Sequence, residues 1–363
     1  MSMDIVILGL SITSSWGNGH ATTYRGLVRE LVRLGHRVTF LERDVPWYAC
    51  ARDLPEPPYG RTHLYVSLDD LRRRFAPLVR AADAVIVGSY VPDGVAVGEW
   101  VQMEARGVTA FYDIDTPVTL ARLRAGDHAY LSPELIPGFD LYLSFTGGPT
   151  LDRLEREYGS PCARAFYCAF DPGAYHPDPT AATRWDLGYL GTYSIDRQPR
   201  VASMLIEPAR AMPERRFTVA GPLYPGEVDW PANVERTEHV PPSAHRAFYT
   251  AQRFTLNVTR DDMIAAGYSP SVRLFEAAAC GVPIISDAWD GLDTIFCPGE
   301  DILVANGTDD VRTYLTGVTD HERLAIAQRA RERVMSGHTA RHRALQLPEL
   351  LSEATLRRVR DPA

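Results

Sequence analysis

Apolar positions in the first half of the chain follow two alternating rhythms. Short unbroken runs occur at Asp4–Leu8, Arg37–Leu41, His63–Val66, Ala84–Val87, Val108–Tyr112, Leu141–Phe145 and Ala165–Cys168, each the length of a buried strand. Between them lie stretches with an apolar residue every three or four positions, such as Ala21 to Leu34, which Gly35 closes as a helix. Strands that are apolar on both faces and separated by helices predict a parallel sheet with helices on either side. From Phe170 to Thr183 the rhythm stops, and FDPGAYHPDPTAAT reads as a linker. The alternation then resumes with Leu187–Leu190, Phe217–Ala220, Val234–Thr237, Phe254–Asn257, Ile284–Ser286 and Ile302–Ala305. The pattern predicts an α/β chain of two doubly wound, Rossmann-like domains, 1–172 and 184–340, facing a central cleft. An arginine-rich amphipathic helix, 341–363, is expected to cross back towards the first domain. Ligands of such sheets bind beyond the carboxyl ends of the strands, so the loops after them carry the candidate chemistry.

The segment GYSPSVRLFEAAACGVPIISD, 267–287, holds the densest signal. Ser269 is placed to cap a helix, Pro270 suits its first position, and Gly281 with Pro283 ends it. The free N–H groups of Ser271 and Val272 would then favour an anion at the helix start. Glu276 is the one acid on a helix otherwise made of Leu274, Phe275, Ala277, Ala278, Ala279 and Cys280. Burying it unpaired would cost several kcal/mol, so it needs a partner. That partner is either a ligand carrying hydroxyls beside a phosphate, or Arg273 in an i,i+3 pair worth about 0.2–0.5 kcal/mol.

Other strand-end loops add candidates. Gly17, Asn18 and Gly19 open the helix that His20 begins, and His20 is a candidate general base. Glu42 ends the second strand, but the glycines come too late, and Thr22 stands where a third is needed, for a dinucleotide fingerprint. Asp113-Ile-Asp115 reads as an Asx-stabilised strand-end turn rather than a metal-binding pair, with Asp115 open to a role in acceptor binding or catalysis. In the second half, Gly191, Thr192 and Arg197 follow the first strand and are placed to meet a diphosphate. Arg200 is a weaker candidate. Asn257, Thr259 and Arg260 end the strand before the 267–287 segment and border the same pocket.

Bulk properties narrow the classes. With 363 residues the chain exceeds one ordinary core, and 45% hydrophobic with 23% charged residues is a globular composition. A formal charge of -8 without a basic stripe argues against nucleic acid. No apolar stretch spans a bilayer, and Met1 leads directly into a strand, so a cytoplasmic protein is expected. The 5 cysteines lack metal-site spacing. The sequence contains no lysine, which removes Schiff-base chemistry and a Walker loop and leaves phosphate to arginine, histidine or helix ends.

Together these residues resemble the GT-B glycosyltransferases, and more narrowly the spore-maturation (CgeB-type) and group-one transferases. SVRLFEAAACGVPIISD carries the resemblance, and YCAFDPGAYHP looks like their interdomain segment. The resemblance implies a nucleotide diphosphate sugar as donor, an unidentified acceptor on the first domain, and no metal or other cofactor. It gives Glu276 the ribose hydroxyls, Ser269, Ser271 and Val272 the diphosphate, and Arg197 the place of the family's cation. Arg273 and Tyr268 complete the donor set. Many retaining members have a second glutamate eight positions before the ribose glutamate, where this chain has Tyr268. The family's lysine is also missing, leaving Arg200 or Arg260 to replace it. The expected activity is metal-independent, retaining sugar transfer. A nucleotide-sugar epimerase and an inactive nucleotide-sugar-binding subunit are the alternatives.

Overall fold

The computed structural model describes residues 2–17 and 19–360. The chain divides into two compact units: Met1–Ala169 with Ala340–Ala363, and Phe170–Thr339. The first break falls before the segment expected as a linker. That segment belongs to the second unit: Phe170 bridges to Thr339, and Tyr175 is buried beside His245.

The first unit is built on strands β1 (Asp4–Gly9), β2 (Arg37–Arg43), β3 (Arg61–Tyr65), β4 (Ala84–Gly88), β5 (Val108–Asp113), β6 (Leu141–Ser144) and β7 (Ala163–Ala165). They pair in parallel in the order β3-β2-β1-β4-β5-β6-β7. β7 starts two residues before the expected run, because Ala163 pairs with Tyr142 and the chain leaves the sheet after Ala165. Val6, Leu8, Val85, Val87 and Phe111 of the strands meet Leu71, Phe75, Trp100 and Val101 of the covering helices. The helix Ala340–Arg360 belongs to this unit. Its Arg343 and Gln346 donate to the carbonyls of Tyr167 and Ala165, and Glu353 pairs with Arg164.

The second unit repeats the plan with β8 (Trp185–Leu190), β9 (Phe217–Ala220), β10 (Val234–Thr237), β11 (Gln252–Asn257), β12 (Ile284–Ser286) and β13 (Leu303–Val304), parallel in the order β10-β9-β8-β11-β12-β13. Leu187, Val219, Leu256 and Ile285 form its core with Val201, Leu205, Val311 and Leu315. Strand order reverses at β1 in one sheet and at β8 in the other, and loops leaving those strands stand at a topological switch point.

Candidate functional site

In the second unit the helix of the 267–287 segment runs Val272–Ala279 and Ser271 is its cap residue. Ser269 is not the cap, contrary to expectation. Gly267 and Tyr268 both adopt positive φ, which turns the chain before the helix, and the Ser269 hydroxyl donates to the Gly267 carbonyl at 2.9 Å. The N–H groups free to meet an anion are therefore those of Val272 and Arg273, one residue later than expected.

Arg273 does not pair with Glu276. Its Nε donates to the Leu190 carbonyl at 2.5 Å and its Nη1 to Asn257 Oδ1 at 2.8 Å, and the guanidinium lies 5.0 Å from the Tyr189 ring. Asn257 also donates to Ser286 Oγ and Thr259 Oγ1, so it is a buried anchor for Arg273 rather than an open donor. Arg197 is 9% exposed and donates through Nη2 to the Thr192 carbonyl at 2.5 Å, leaving its buried Nε with no partner. Burial is the main cause that lowers the Arg197 pKa, and the nearby charges of Arg273 and Arg260 lower it further. Among the described residues none of these three arginines has a carboxylate at ion-pair distance, whereas Arg200 is spent on Asp261 and the Thr259 carbonyl.

Gly191 is the floor of this arginine cluster. A Cβ there would lie 2.5 Å from Tyr189 Oη and 3.0 Å from Arg273 Nη2, so only glycine lets the three groups crowd together. Tyr189 itself is 0% exposed and its hydroxyl is unpartnered. A buried phenol and a buried guanidinium nitrogen without acceptors thus stand at Tyr189 and Arg197, with Arg273 beside Tyr189 and the charge of Arg260 acting on Arg197, an arrangement that favours an anion.

Glu276 sits apart in a cage of donors. It is 5% exposed, with Tyr249 Oη at 3.4 Å and His245 Nδ1 at 3.9 Å, while the Tyr175 hydroxyl lies 3.1 Å from that same His245 Nδ1. Burial raises its pKa, against the opposing pull of His245. His245 Nε2 lies 3.1 Å from the Val240 carbonyl, which can only accept, so that nitrogen carries a proton. Tyr175, Tyr189, His245 and Tyr249 were missed from the sequence. The signal present was a tyrosine within an otherwise apolar buried strand at position 189, since a buried phenol ordinarily finds a partner.

In the first unit, His20 opens the helix His20–Arg33 behind Gly19, and Gly17 has φ 66°. Asn18 lies outside the described residues. His20 is 8% exposed, its Nδ1 has no partner, and burial lowers its pKa to about 4. Tyr90, with φ 63°, joins it to the other candidate: its ring meets His20 edge-on at 5.5 Å and its hydroxyl donates to Asp115 Oδ2 at 3.1 Å. Asp113 accepts from Tyr142 at 2.5 Å, Thr119 at 2.8 Å and the Asp115 N–H at 3.2 Å, which is the Asx-type turn expected. Burial raises the Asp113 pKa to about 6. Glu42 is consumed by the backbone of Ile12 and Thr13 and the hydroxyls of Ser11 and Thr13, so it is closed to a ribose. Among the described residues no three His, Cys, Asp or Glu side chains gather into a metal-binding group. No helix among them is long and apolar enough to cross a membrane.

Residues 197–349, which include Arg197, Arg260, Arg273 and Glu276, match the family described as "Glycosyl transferase-like". No curated protein matches the chain. Solved structures similar to it include HepE of Anabaena in complex with UDP-glucose, at TM-score 0.71 and 14% identity, covering 97% of this chain and 100% of that one. An alpha-glucosyltransferase in complex with UDP and a DNA containing an HMU base has TM-score 0.72 and 13% identity, covering 97% and 99%. Sucrose-phosphate synthase from Thermosynechococcus elongatus has TM-score 0.70 and 15% identity, covering 97% and 98%. At these identities the likeness establishes the fold alone, a GT-B fold with two Rossmann-like units.

Proposed function

We propose that this chain is a glycosyltransferase that moves a sugar from a nucleoside diphosphate sugar to an acceptor hydroxyl. The observation that carries the reading is a buried arginine pair at the end of β8: Arg273 and an orphaned Tyr189 hydroxyl beside Gly191, and Arg197 with an orphaned Nε held at Thr192, with the charge of Arg260 acting on Arg197. The diphosphate would lie on Arg197, Arg260 and Arg273 and on the first-turn N–H groups of Val272–Ala279, with Thr192 and Ser271 at its edge. Glu276 would take the ribose hydroxyls. In the reaction the bond from the anomeric carbon to the diphosphate oxygen breaks, and the acceptor oxygen forms the new bond. The proposed diphosphate site accelerates that step by stabilising the negative charge that develops on the departing diphosphate. Arginines and a helix end supply the positive potential, so the proposal includes no metal and no cofactor beyond the co-substrate.

The acceptor is assigned to the first unit, near His20, Tyr90 and Asp115. A general base works best with a pKa near the working pH, and a histidine brought down to about 4 falls short of that. This supports retention of configuration over inversion. On its 267–287 motif the chain is proposed to be of the spore-maturation (CgeB-type) and group-one kind, with the cytoplasm as its site of action.

Thermal denaturation with UDP, GDP, TDP, ADP and CDP tests the reading. UDP comes first because HepE and the alpha-glucosyltransferase were solved with uridine nucleotides. A ligand at one hundred times its Kd adds about 2.7 kcal/mol to stability. If none of the five raises the midpoint, the donor site is refuted.

A further inference from the structure

Glu276 takes its surroundings from two segments outside its own helix. His245 and Tyr249 stand on the helix Pro242–Thr250, and Tyr175 on the 170–183 segment. The Tyr249 hydroxyl, 3.4 Å from Glu276 Oε2, is a long hydrogen bond for a side chain so buried. Burial favours the neutral carboxyl, and the largest opposing pull comes from His245. A neutral carboxylic acid accepts hydroxyl hydrogens less well than a carboxylate. Whatever keeps Glu276 ionised therefore bears on nucleoside binding.

The His245 ring is fixed by its far edge. Nε2 lies 3.1 Å from the Val240 carbonyl and so carries a proton. The ring gains or loses charge at Nδ1 alone, which faces Glu276 Oε2 at 3.9 Å and the Tyr175 hydroxyl at 3.1 Å. In the neutral ring Nδ1 is an acceptor and takes the Tyr175 hydrogen. In the charged ring Nδ1 becomes a donor, and its positive charge stands beside the carboxylate. The other groups facing Glu276 keep their charge. Burial holds the Tyr175 and Tyr249 phenols well above the usual range and pushes the Cys280 thiol up to about 12. Arg273, a permanent cation on the same helix, is committed to Leu190 and Asn257. Histidine is the side-chain type that changes charge between about pH 5 and 8. We propose that His245 is a positioning residue for the ribose site: in mild acid the proton it takes at Nδ1 holds Glu276 as a carboxylate, and nucleoside affinity is kept. The inference rests on the ribose role of Glu276 proposed above.

Kd values for UDP and for inorganic pyrophosphate are measured by calorimetry at about pH 8 and about pH 5.5 on wild type, His245→Gln, Glu276→Gln and the double variant. Glutamine can still donate to the Val240 carbonyl but takes up no proton, which protects folding. His245→Asn replaces it if the glutamine chain does not fold. Pyrophosphate lacks the ribose, so the ratio of the UDP to the pyrophosphate constant isolates the nucleoside, and comparison with wild type cancels the ligands' own protonation. In His245→Gln the ratio should match wild type within about twofold at the higher pH and exceed it about tenfold at the lower. In Glu276→Gln it should exceed wild type at both, and adding His245→Gln should change it no further, which a loss of local structure would not allow. A wild type that binds UDP, with a His245→Gln ratio that departs equally at both pH values or at neither, overturns this inference alone. An unchanged ratio in Glu276→Gln removes the ribose role, and a wild type that binds none of the nucleoside diphosphates removes the donor site. This inference falls with either.

Discussion

Arg197→Met tests the proposed diphosphate site most directly. Methionine keeps an apolar stem in the space of a side chain that is 9% exposed, so packing changes little while the charge is lost. Nη2 already serves the Thr192 carbonyl, which leaves the unpartnered Nε on the same edge to meet a phosphate oxygen. Charge-assisted bonds of this kind carry about 2–3 kcal/mol net, or roughly 30- to 150-fold in Kd. At UDP one hundred times the wild-type Kd, the native chain gains about 2.7 kcal/mol. A variant about fiftyfold weaker gains only about 0.6 kcal/mol at the same concentration. Paired denaturation curves with and without UDP give both numbers from one instrument. The unliganded variant should be no less stable than wild type by more than about 1 kcal/mol, since it gives up one carbonyl bond and sheds repulsion from Arg260 and Arg273. A full UDP shift in a folded Arg197→Met chain refutes that site.

Glu276→Gln should weaken UDP about tenfold yet leave inorganic pyrophosphate binding as it was, because only the ribose loses a charged acceptor. Equal loss for both ligands, by calorimetry, would count against the ribose role. Asp113→Asn should change the pH dependence of stability. A carboxyl raised to about 6 stabilises the fold below about pH 4, and that contribution is lost as pH rises through about 6. The variant should therefore gain about 2 kcal/mol relative to wild type between pH 4 and pH 7, and parallel urea midpoints across that range would contradict it. His20→Ala should slow donor turnover at pH 7 by less than the hundredfold lower bound of base catalysis. A larger loss, rescued by imidazole, would favour inversion.

The sheet strands were legible because parallel strands buried on both faces write themselves as apolar runs: Phe217–Ala220, Val234–Thr237 and Ile284–Ser286 appear at the positions expected. The cap of the site helix was misread for a local reason. Ser269 has the right side chain, but the positive φ angles at Gly267 and Tyr268 turn the chain there and the cap falls two residues later, at Ser271. The Glu276 cage was illegible because its donors come from the stretch read as a linker, the helix Pro242–Thr250 and a neighbouring tyrosine there, which only the tertiary fold unites. Arg197 and Arg273 could be proposed by position. Their binding to the carbonyls of Thr192 and Leu190 could not, since every residue has a carbonyl and none advertises it.

Those carbonyl anchors show how the proposed phosphate site would work in a chain without lysine. A lysine has one charged nitrogen, so anchoring it and offering it to a ligand compete. A guanidinium has five N–H bonds spread over a rigid fork, so part of it can be tied down while the rest faces outward. A carboxylate anchor would cancel the charge, as Asp261 does for Arg200. A carbonyl fixes direction through its dipole and leaves the unit charge intact for the ligand. Arg197 held by Thr192, and Arg273 held by Leu190 and Asn257, both use neutral oxygens. The cost is mutual repulsion, which after burial lowers the Arg197 pKa through the charges of Arg273 and Arg260. In the proposed site a diphosphate would relieve that repulsion, so the repulsion among the arginines would add to the preference for an anion.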